Sequence, residues 1–284
     1  MRKKVGFIGA GYMGYGIAKN LIKKKFDLKV IAYKKRHNIN KLVKNGAEEV
    51  KNYNDLCKDV DCILICVTNT PIAIKIAKKI STKLKSNSLV IDITTHNING
   101  PIKMNKIFKV NKINYVESPV MGGPVQAEKG ILGSILGGSK KNIKLSTKYL
   151  NAFCKKYYHF GPIGMGAKAK LINNFLSLGT ATFVIETIKS AKKMNIDFKK
   201  FYNVAKLGSG NSGALNRIAE NLLKSDYKGY IFSVDNTLKD LTYIHNLLKN
   251  IPNARKLSKL TKSYYKDAQD KGYGDLLISE LIKK

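Results

Sequence analysis

Three glycines near the amino terminus have the spacing of a dinucleotide-binding turn. Gly9, Gly11 and Gly14 follow the apolar run 5–8 and precede the segment 15–22, in which apolar residues recur at helical spacing. The first glycine allows a tight bend, the second lets the backbone approach a pyrophosphate, and the third lets the helix pack closely on its strand. Free N–H groups at the helix start then face the anion. Although such a motif also occurs in purely structural turns, its context predicts cofactor contacts from Gly9, Gly11, Tyr12, Met13 and Gly14.

The residues after the second predicted strand bear on which dinucleotide binds. NAD-specific sites usually place a carboxylate about 20 residues past the glycines, where it accepts from the ribose 2′-hydroxyl. No acid occurs between residues 28 and 47, and Lys34, Lys35 and Arg36 stand at this place instead. Because cations suit a 2′-phosphate, the sequence favours NADP(H). NAD(H) is the alternative, since lysines occur throughout the chain.

Length and charge narrow the class of protein. The 284 residues exceed one typical domain, and 52 cations against 19 acids give a net charge of +33. Such a charge can indicate a polyanionic partner. However, only four of the cations are arginines, and the lysines are spread along the whole chain. This pattern indicates a compositional bias, so we expect no specific nucleic-acid partner.

The cysteines and histidines show no metal-site pattern. Cys57, Cys62, Cys66 and Cys154 form no CxxC pair, and the four histidines lack ligand spacing, so no metal is expected. The chain enters a strand directly, and no apolar run reaches about 18 residues. We therefore expect a cytoplasmic protein with no membrane segment.

Apolar, strand-like runs alternate with helical patterns in the first half of the chain. The runs are 5–8, 28–33, 62–67, 89–93 and 115–116. This alternation predicts a Rossmann-type, doubly wound and mostly parallel sheet with helices on both faces, and the runs 131–136 and 157–160 add predicted edge strands.

Ligands on such sheets bind at the carboxyl ends of the strands. Val67, Thr68 and Thr95 follow two of these strands and are expected to contact the cofactor, although Thr95 could instead cap a helix.

The pattern changes after residue 164. Residues 166–194 contain no proline and repeat apolar side chains at helical spacing, which predicts one helix of about 30 residues. The remainder is helical in pattern, with breaks at 208–213 and 227–230. We predict a dinucleotide-binding domain over 1–162 and an all-helical substrate and oligomerisation domain over 163–284, joined by the long helix.

Four segments together resemble the β-hydroxyacid dehydrogenase family, which includes 3-hydroxyisobutyrate dehydrogenases and semialdehyde and glyoxylate reductases. They are GFIGAGYMG at 6–14, ESPVMGGPVQAEKG at 117–130, GPIGMGAKAKLINN at 161–174 and FSVDNTLKDL at 232–241. The resemblance covers nearly the whole chain. It implies a nicotinamide-dependent enzyme that forms a homodimer or homotetramer.

The resemblance also implies catalytic roles. Lys170 and Asn174 are four residues apart and share a helix face, and they match the family's acid/base lysine and substrate-holding asparagine. An ammonium aimed at a carbonyl oxygen stabilises alkoxide charge and delivers the proton as hydride arrives. Oxidation requires a neutral lysine, so partial burial or neighbouring cations are expected to lower its pKa. Lys239 matches a lysine that closes over the nicotinamide and the substrate.

One segment departs from the family pattern. Gly122 and Gly123 are expected to bind a substrate carboxylate through consecutive backbone N–H groups. The family usually has serine where this chain has Met121, and aspartate where it has Glu117. Methionine is larger and lacks the hydroxyl, so Met121 favours a less polar or differently shaped substrate.

These features lead to one main hypothesis and several alternatives. The main hypothesis is an NADP(H)-dependent oxidoreductase that interconverts a small semialdehyde or 2-oxo acid with its hydroxy acid. An imine reductase on the same scaffold is less favoured, because such enzymes typically replace the catalytic lysine. A phosphosugar-acid dehydrogenase would be longer and would have histidine in place of Asn173. A non-catalytic, dehydrogenase-like binding or scaffold protein with nucleic-acid affinity is the alternative outside enzymes.

Overall fold

A nine-stranded sheet runs through the first of two units of this computed structural model, which describes residues 3–33 and 36–284. The strand order is β3-β2-β1-β4-β5-β6-β8-β7, and β9 pairs with β8. The strands are β1 (Lys4–Ile8), β2 (Asp27–Ile31), β3 (Glu48–Val50), β4 (Cys62–Ile65), β5 (Leu89–Asp92), β6 (Asn114–Glu117), β7 (Val120–Met121), β8 (Leu132–Gly137) and β9 (Cys154–Gly161).

The pairs among the first six strands are all parallel, which confirms the predicted Rossmann-type sheet. Eight helices belong wholly or partly to this unit: α1 (Tyr12–Lys23), α2 (His37–Lys44), α3 (Tyr53–Cys57), α4 (Thr70–Ile80), α5 (Gly100–Val110), α6 (Pro124–Lys129), α7 (Lys140–Leu150) and α8 (Met165–Lys193).

Two buried clusters form the core of this unit. In β4, Leu64 belongs to one cluster, whereas Ile63 and Ile65 belong to the other. Since successive side chains of a strand point to opposite faces, the sheet is buried on both sides. This explains why these strands are continuous apolar runs instead of alternating apolar and polar residues.

The second unit is helical, as predicted. The units divide as Met1–Lys170 and Leu171–Lys284, so the division falls within α8, and the predicted boundary after residue 162 stays a prediction. Four further helices follow α8, namely α9 (Phe198–Ala205), α10 (Gly213–Leu222), α11 (Val234–Leu247) and α12 (Pro252–Asp270), and a 3₁₀ turn spans Ile278–Lys283.

The long helix over residues 165–193 confirms the prediction for that segment. By length and composition alone α8 could cross a membrane, with a mean hydropathy of 1.3 over its most apolar 18 residues. A core helix of a soluble protein passes the same test, so the property does not indicate a membrane span.

Two features of the sheet differ from the sequence prediction. Strand β3 was not expected, because it has only three residues and two of them are exposed glutamates. Strand β8 is not an edge strand, since it pairs antiparallel with β6 and β7 on one side and parallel with β9 on the other. Helix α6 connects β7 to the antiparallel strand β8, and α7 connects β8 to the parallel strand β9. Strand β8 therefore lies between β6 and β7 on one side and β9 on the other.

Candidate active site

Gly9 and Gly14 occupy positions that exclude a side chain. Gly9 has φ +100°, and a Cβ atom there would lie 2.1 Å from the carbonyl oxygen of Cys66. A Cβ atom on Gly14 would lie 2.0 Å from the carbonyl oxygen of Gly9. Since real Cβ atoms never approach so closely, both glycines are required for β1, α1 and the end of β4 to pack together.

Gly11 stands at the surface of the turn. A Cβ atom there would meet no atom within 4 Å, and the residue is exposed. Gly11 is the N-cap of α1 and makes no side-chain cap hydrogen bond. Backbone N–H groups at such a helix start can bind a pyrophosphate. Tyr12 is exposed beside it and Met13 is half-buried.

Asn38 supports this turn and was missed by the sequence analysis. Its Nδ2 donates to the carbonyl oxygens of Ala10 (3.0 Å) and Gly11 (3.3 Å). The contact joins the start of α2 to the glycine turn. An asparagine within a predicted helix does not by itself indicate this contact, because Ala10 and Gly11 come close to Asn38 only through the packing of α2.

The sequence directly after β2 contains no acid, but the structure brings a carboxylate from β3 close to this segment. Arg36 directly precedes α2 and forms an ion pair with Glu49 on β3, with 2.9 Å between Nη2 and Oε2. The pairing of β3 with β2 brings this carboxylate close although it lies 13 residues along the chain. The other two predicted cations, Lys34 and Lys35, lie outside the described residues.

The predicted cofactor contacts at the ends of β4 and β5 lie together. The N–H of Val67 donates to Thr94 Oγ1 (3.3 Å), which links the two strand ends. Thr68 is exposed and Thr95 is half-buried. Thr95 does not cap a helix, since α5 begins at residue 100 and its N-cap is residue 99.

A buried polar network lies next to these strand ends. Asp92 Oδ2 is 2.7 Å from His96 Nε2 and accepts from the hydroxyl of Tyr115 (3.0 Å). The Nδ1 atom of His96 is 3.1 Å from Thr70 Oγ1 at the start of α4. Burial, and then the charge of Asp92, raise the pKa of Tyr115 well above its usual value, so this phenol stays neutral. The network fixes the segment that contains Thr95.

Glu117 holds the start of the long helix. Its Oε1 accepts from the N–H groups of Gly164 and Gly166, and its Oε2 accepts from Ala167 (2.9 Å). The side chain is fully buried. A Cβ atom on Gly137, its partner on β8, would clash with the carboxylate at 1.9 Å, so that glycine provides the room. Burial raises the pKa of Glu117, and the three backbone hydrogen bonds oppose this effect.

Lys170 lies one turn past this anchored segment. Its Nζ donates to the carbonyl oxygen of Val120 (2.8 Å) and is 3.6 Å from Met121 Sδ. The side chain is half-buried, whereas its neighbour Lys168 is exposed. The structure therefore brings the predicted acid/base to the predicted substrate segment instead of leaving it in solvent.

One N–H group of the glycine pair in that segment has a partner within the chain. Gly122 has φ +116°, a conformation that favours glycine. The N–H of Gly123 donates to Gln126 Oε1 (3.0 Å), which closes the start of α6. Two free consecutive N–H groups are therefore not present, because the side chain of Gln126 reaches back to one of them. The assignment of Gly122 and Gly123 to substrate binding stays a prediction.

The second unit joins two predicted site residues through one buried carboxylate. Asn174 Nδ2 donates to Asp240 Oδ2 (2.7 Å), and Lys239 Nζ lies 3.0 Å from Asp240 Oδ1. The contact between Lys239 and Asp240 Oδ1 is close enough for an ion pair, but its geometry is not that of a hydrogen bond. Since a carboxylate only accepts, the contact also fixes which way the Asn174 amide points. Asp240 was not among the residues predicted for the site.

No metal site is found in the part of the chain that the structure describes. Over residues 3–33 and 36–284, no group of three histidine, cysteine, aspartate or glutamate side chains is close enough to hold an ion.

Comparisons with known proteins cover nearly the whole chain. The family model for the NAD-binding domain of 6-phosphogluconate dehydrogenase matches residues 4–161, and that for the NAD-binding region of NADP-dependent 3-hydroxyisobutyrate dehydrogenase matches residues 164–284. A 2-(hydroxymethyl)glutarate dehydrogenase from Eubacterium barkeri is 28% identical over 84% of this chain and 80% of its own length.

Two further similarities extend over almost the full length. An L-threonate dehydrogenase from Haemophilus influenzae is 28% identical over 98% of this chain and 94% of its own. The solved structure of a 3-hydroxyisobutyrate dehydrogenase from Salmonella typhimurium has a TM-score of 0.91 at 22% identity, with 99% of each chain covered. The latter shows a shared fold.

Proposed function

This chain belongs to the β-hydroxyacid dehydrogenase family, and we propose that it interconverts a small semialdehyde or 2-oxo acid with its hydroxy acid, using NADP(H). At the coarser level it is a nicotinamide-dependent oxidoreductase that acts on CH–OH groups. The single observation that carries the finer proposal is the position of the Lys170 amine. It lies 2.8 Å from the Val120 carbonyl and beside Met121, within the unit that contains the glycine turn.

Lys170 is the proton donor and acceptor in this proposal. When bound, the nicotinamide ring supplies or receives the hydride. In reduction, the ammonium of Lys170 donates a hydrogen bond to the substrate carbonyl and then a proton to the developing alkoxide. In oxidation, the neutral amine takes the hydroxyl proton. The contact with the Val120 carbonyl holds the amine in place, so less reorganisation is needed during the reaction.

The residues proposed to bind the substrate are those that match the family motifs. Met121 supplies apolar surface where the family usually has a hydroxyl, next to Gly122 and Gly123. Asn174 and Lys239 match substrate-binding positions of the family, and both contact Asp240. A Met121→Ser variant is expected to lower KM for short carboxylate substrates, because it restores a hydrogen-bond donor.

NADP(H) is the proposed cofactor. The support is the cationic segment 34–36, of which Arg36 is described and more than half exposed. Its partner Glu49 is a competing anion, so binding of a 2′-phosphate would require Arg36 to exchange one anionic partner for another. The match of residues 164–284 to a model for an NADP-dependent enzyme also supports this choice.

A matched pair of lysine variants tests the catalytic proposal. Lys170→Ala is expected to lower kcat at least 100-fold with NADPH and a panel of glyoxylate and succinic, malonic and methylmalonic semialdehydes. Lys168→Ala, two residues away on the same helix but exposed, is expected to keep activity within twofold. Wild-type turnover by Lys170→Ala would remove this residue from its role.

We further propose that the protein is a homo-oligomer. The support is an apolar stripe on α8, where Ile172, Leu176 and Phe183 are 48, 71 and 65% exposed. Leu176 and Phe183 also line a cavity of about 680 Å³ shared with α9 and α10, which suits the same stripe of a second copy. Leu176→Glu is expected to reduce the mass measured by light scattering, whereas Leu257→Glu on α12 is not. Equal masses for both variants would contradict this interface.

A cytoplasmic location is also proposed. All four cysteines are free thiols, which suits a reducing compartment. Cell fractionation that recovers the protein outside the cytoplasm would refute it.

A further inference from the structure

Helices α11 and α12 and the residues between them border an open cleft of about 420 Å³, and four of its six lining residues are exposed lysines or arginine. We refer to it as the cationic pocket, and it is lined by His245, Lys249, Pro252, Arg255, Lys256 and Lys259. None of these residues is acidic. Among the described residues, no carboxylate forms an ion pair with any of the three lining lysines or with the lining arginine.

This arrangement has an electrostatic cost that an anion would remove. Arg255 and Lys259 are one turn apart on α12, and like charges at this spacing destabilise a helix by a few tenths of a kcal/mol. A concave wall of one sign also concentrates its potential within the cavity. Further along the same helix, Lys266 is paired with Asp270 one turn away. The lysines of the cationic pocket have no such partner within the helix.

His245 reports the potential inside the pocket. Its Nδ1 is 3.0 Å from Ser258 Oγ, which itself donates to the carbonyl oxygen of Arg255 (2.8 Å). These contacts hold the imidazole beside the first turns of α12. Burial lowers the pKa of His245, the charges of Arg255, Lys262 and Lys259 lower it further, and a hydrogen bond with the Arg255 backbone opposes them. A bound anion would also oppose these charges and favour protonation of the ring.

We propose that the cationic pocket binds a small phosphate-bearing anion with at least two negative charges. Phosphate oxygens accept from the guanidinium fork of Arg255 and from the ammonium groups of Lys249, Lys256 and Lys259. A single carboxylate would compensate only one of these charges. This site lies on α11 and α12 and uses none of the residues assigned to catalysis, so its outcome is independent of the proposed reaction.

The test follows the four histidines of the intact protein by NMR, with His245 assigned from a His245→Gln variant. Phosphate or pyrophosphate is added while sodium chloride keeps the ionic strength constant. We expect the pKa of His245 to rise saturably by about one pH unit, since an anion within a few ångströms stabilises the charged ring. The other three histidines are expected to stay unchanged.

Two double variants separate a built site from general lysine attraction. Lys256→Gln/Lys259→Gln is expected to weaken phosphate binding at least tenfold. The matched control, Lys140→Gln/Lys144→Gln, removes two exposed lysines four apart on α7 and is expected to change affinity less than twofold. Three results would overturn the proposal: an equal His245 response to sodium chloride, equal losses in both double variants, or a response to duplex DNA but to neither phosphate nor pyrophosphate.

Discussion

Replacing Glu117 by glutamine tests how the start of α8 is held. The carboxylate accepts three buried backbone N–H groups, two on Oε1 and one on Oε2. Glutamine keeps one acceptor oxygen, so it can retain at most two of these hydrogen bonds, and both lose the contribution of the negative charge. Its NH₂ group then faces the third N–H, so two donors meet and that hydrogen bond is lost. Only the amide oxygen can then serve the first turn of the helix.

The magnitude follows from these contacts. One lost hydrogen bond to a charged group costs about 1.5–3 kcal/mol, and weakening two others costs about 1 kcal/mol each. Removal of a buried charge offsets part of this, in line with the pKa of Glu117 being raised by burial. We expect a net loss of roughly 2–4 kcal/mol in the free energy of unfolding, which corresponds to a fall in Tm of about 4–8 °C at about 2 °C per kcal/mol for a chain of this length.

Activity should fall together with stability. Lys170 is three residues past the last N–H group that Glu117 holds, so a shift of the first turn moves the amine from its place at the Val120 carbonyl. A misplacement near 1 Å costs up to about 100-fold, so we expect kcat to drop 10- to 100-fold at 25 °C while KM for NADPH changes little. Glu117→Asp keeps the charge and should retain more activity than glutamine.

Steady-state kinetics, thermal melting and a double variant make the assay decisive. In a Lys170→Ala background, Glu117→Gln should cause no further loss of kcat if it acts through the lysine. Glu128→Gln is the control, because the same change at an exposed surface pair should cost under about 1 kcal/mol. A Glu117→Gln enzyme with Tm within 1 °C and kcat within twofold of the wild type would refute the reasoning.

Three further predictions concern the cofactor, the glycine turn and the thiols. Arg36→Ala is expected to lower kcat/KM for NADPH about tenfold and to have little effect on kcat/KM for NADH. Glu49→Gln is expected to raise the preference for NADPH. An unchanged ratio of kcat/KM for NADPH to that for NADH would contradict either prediction. Gly14→Ala should abolish NADPH binding measured by fluorescence, because its Cβ would lie 2.0 Å from the Gly9 oxygen, whereas Gly179→Ala, with nothing within 4 Å, should be neutral or stabilising. Burial raises the pKa of the Cys57 thiol to about 11, that of Cys66 and of Cys154 to about 12, and that of Cys62 well above its usual value. For the first three, roughly 0.1% or less is thiolate at pH 8, so labelling by a disulfide reagent should be slow until the protein is unfolded. Rapid labelling of the native protein would contradict this.

Local patterns in the sequence determined the fold class and the positions of most elements. Apolar runs of two to six residues and a 29-residue stretch with helical periodicity are short-range signals, so they predicted five of the parallel strands and α8. The glycine spacing worked for the same reason at Gly14, whose Cβ would meet Gly9 within one strand-turn-helix unit. The close approach of Cys66 to Gly9 depends on strand pairing and is not a local signal. The resemblance of motifs added Lys170, which composition alone would not distinguish from 47 other lysines.

The partners of the site residues were decided only by tertiary structure. Glu117 contacts a helix start 47 to 50 residues away, Lys170 contacts Val120 across 50 residues, and Asn174 meets Asp240 across 66. Strand order and helix packing bring such groups together, and the local periodicity of a sequence does not reveal which distant elements become neighbours. For the same reason, the acid-free segment after β2 did not reveal that strand pairing returns a carboxylate to Arg36.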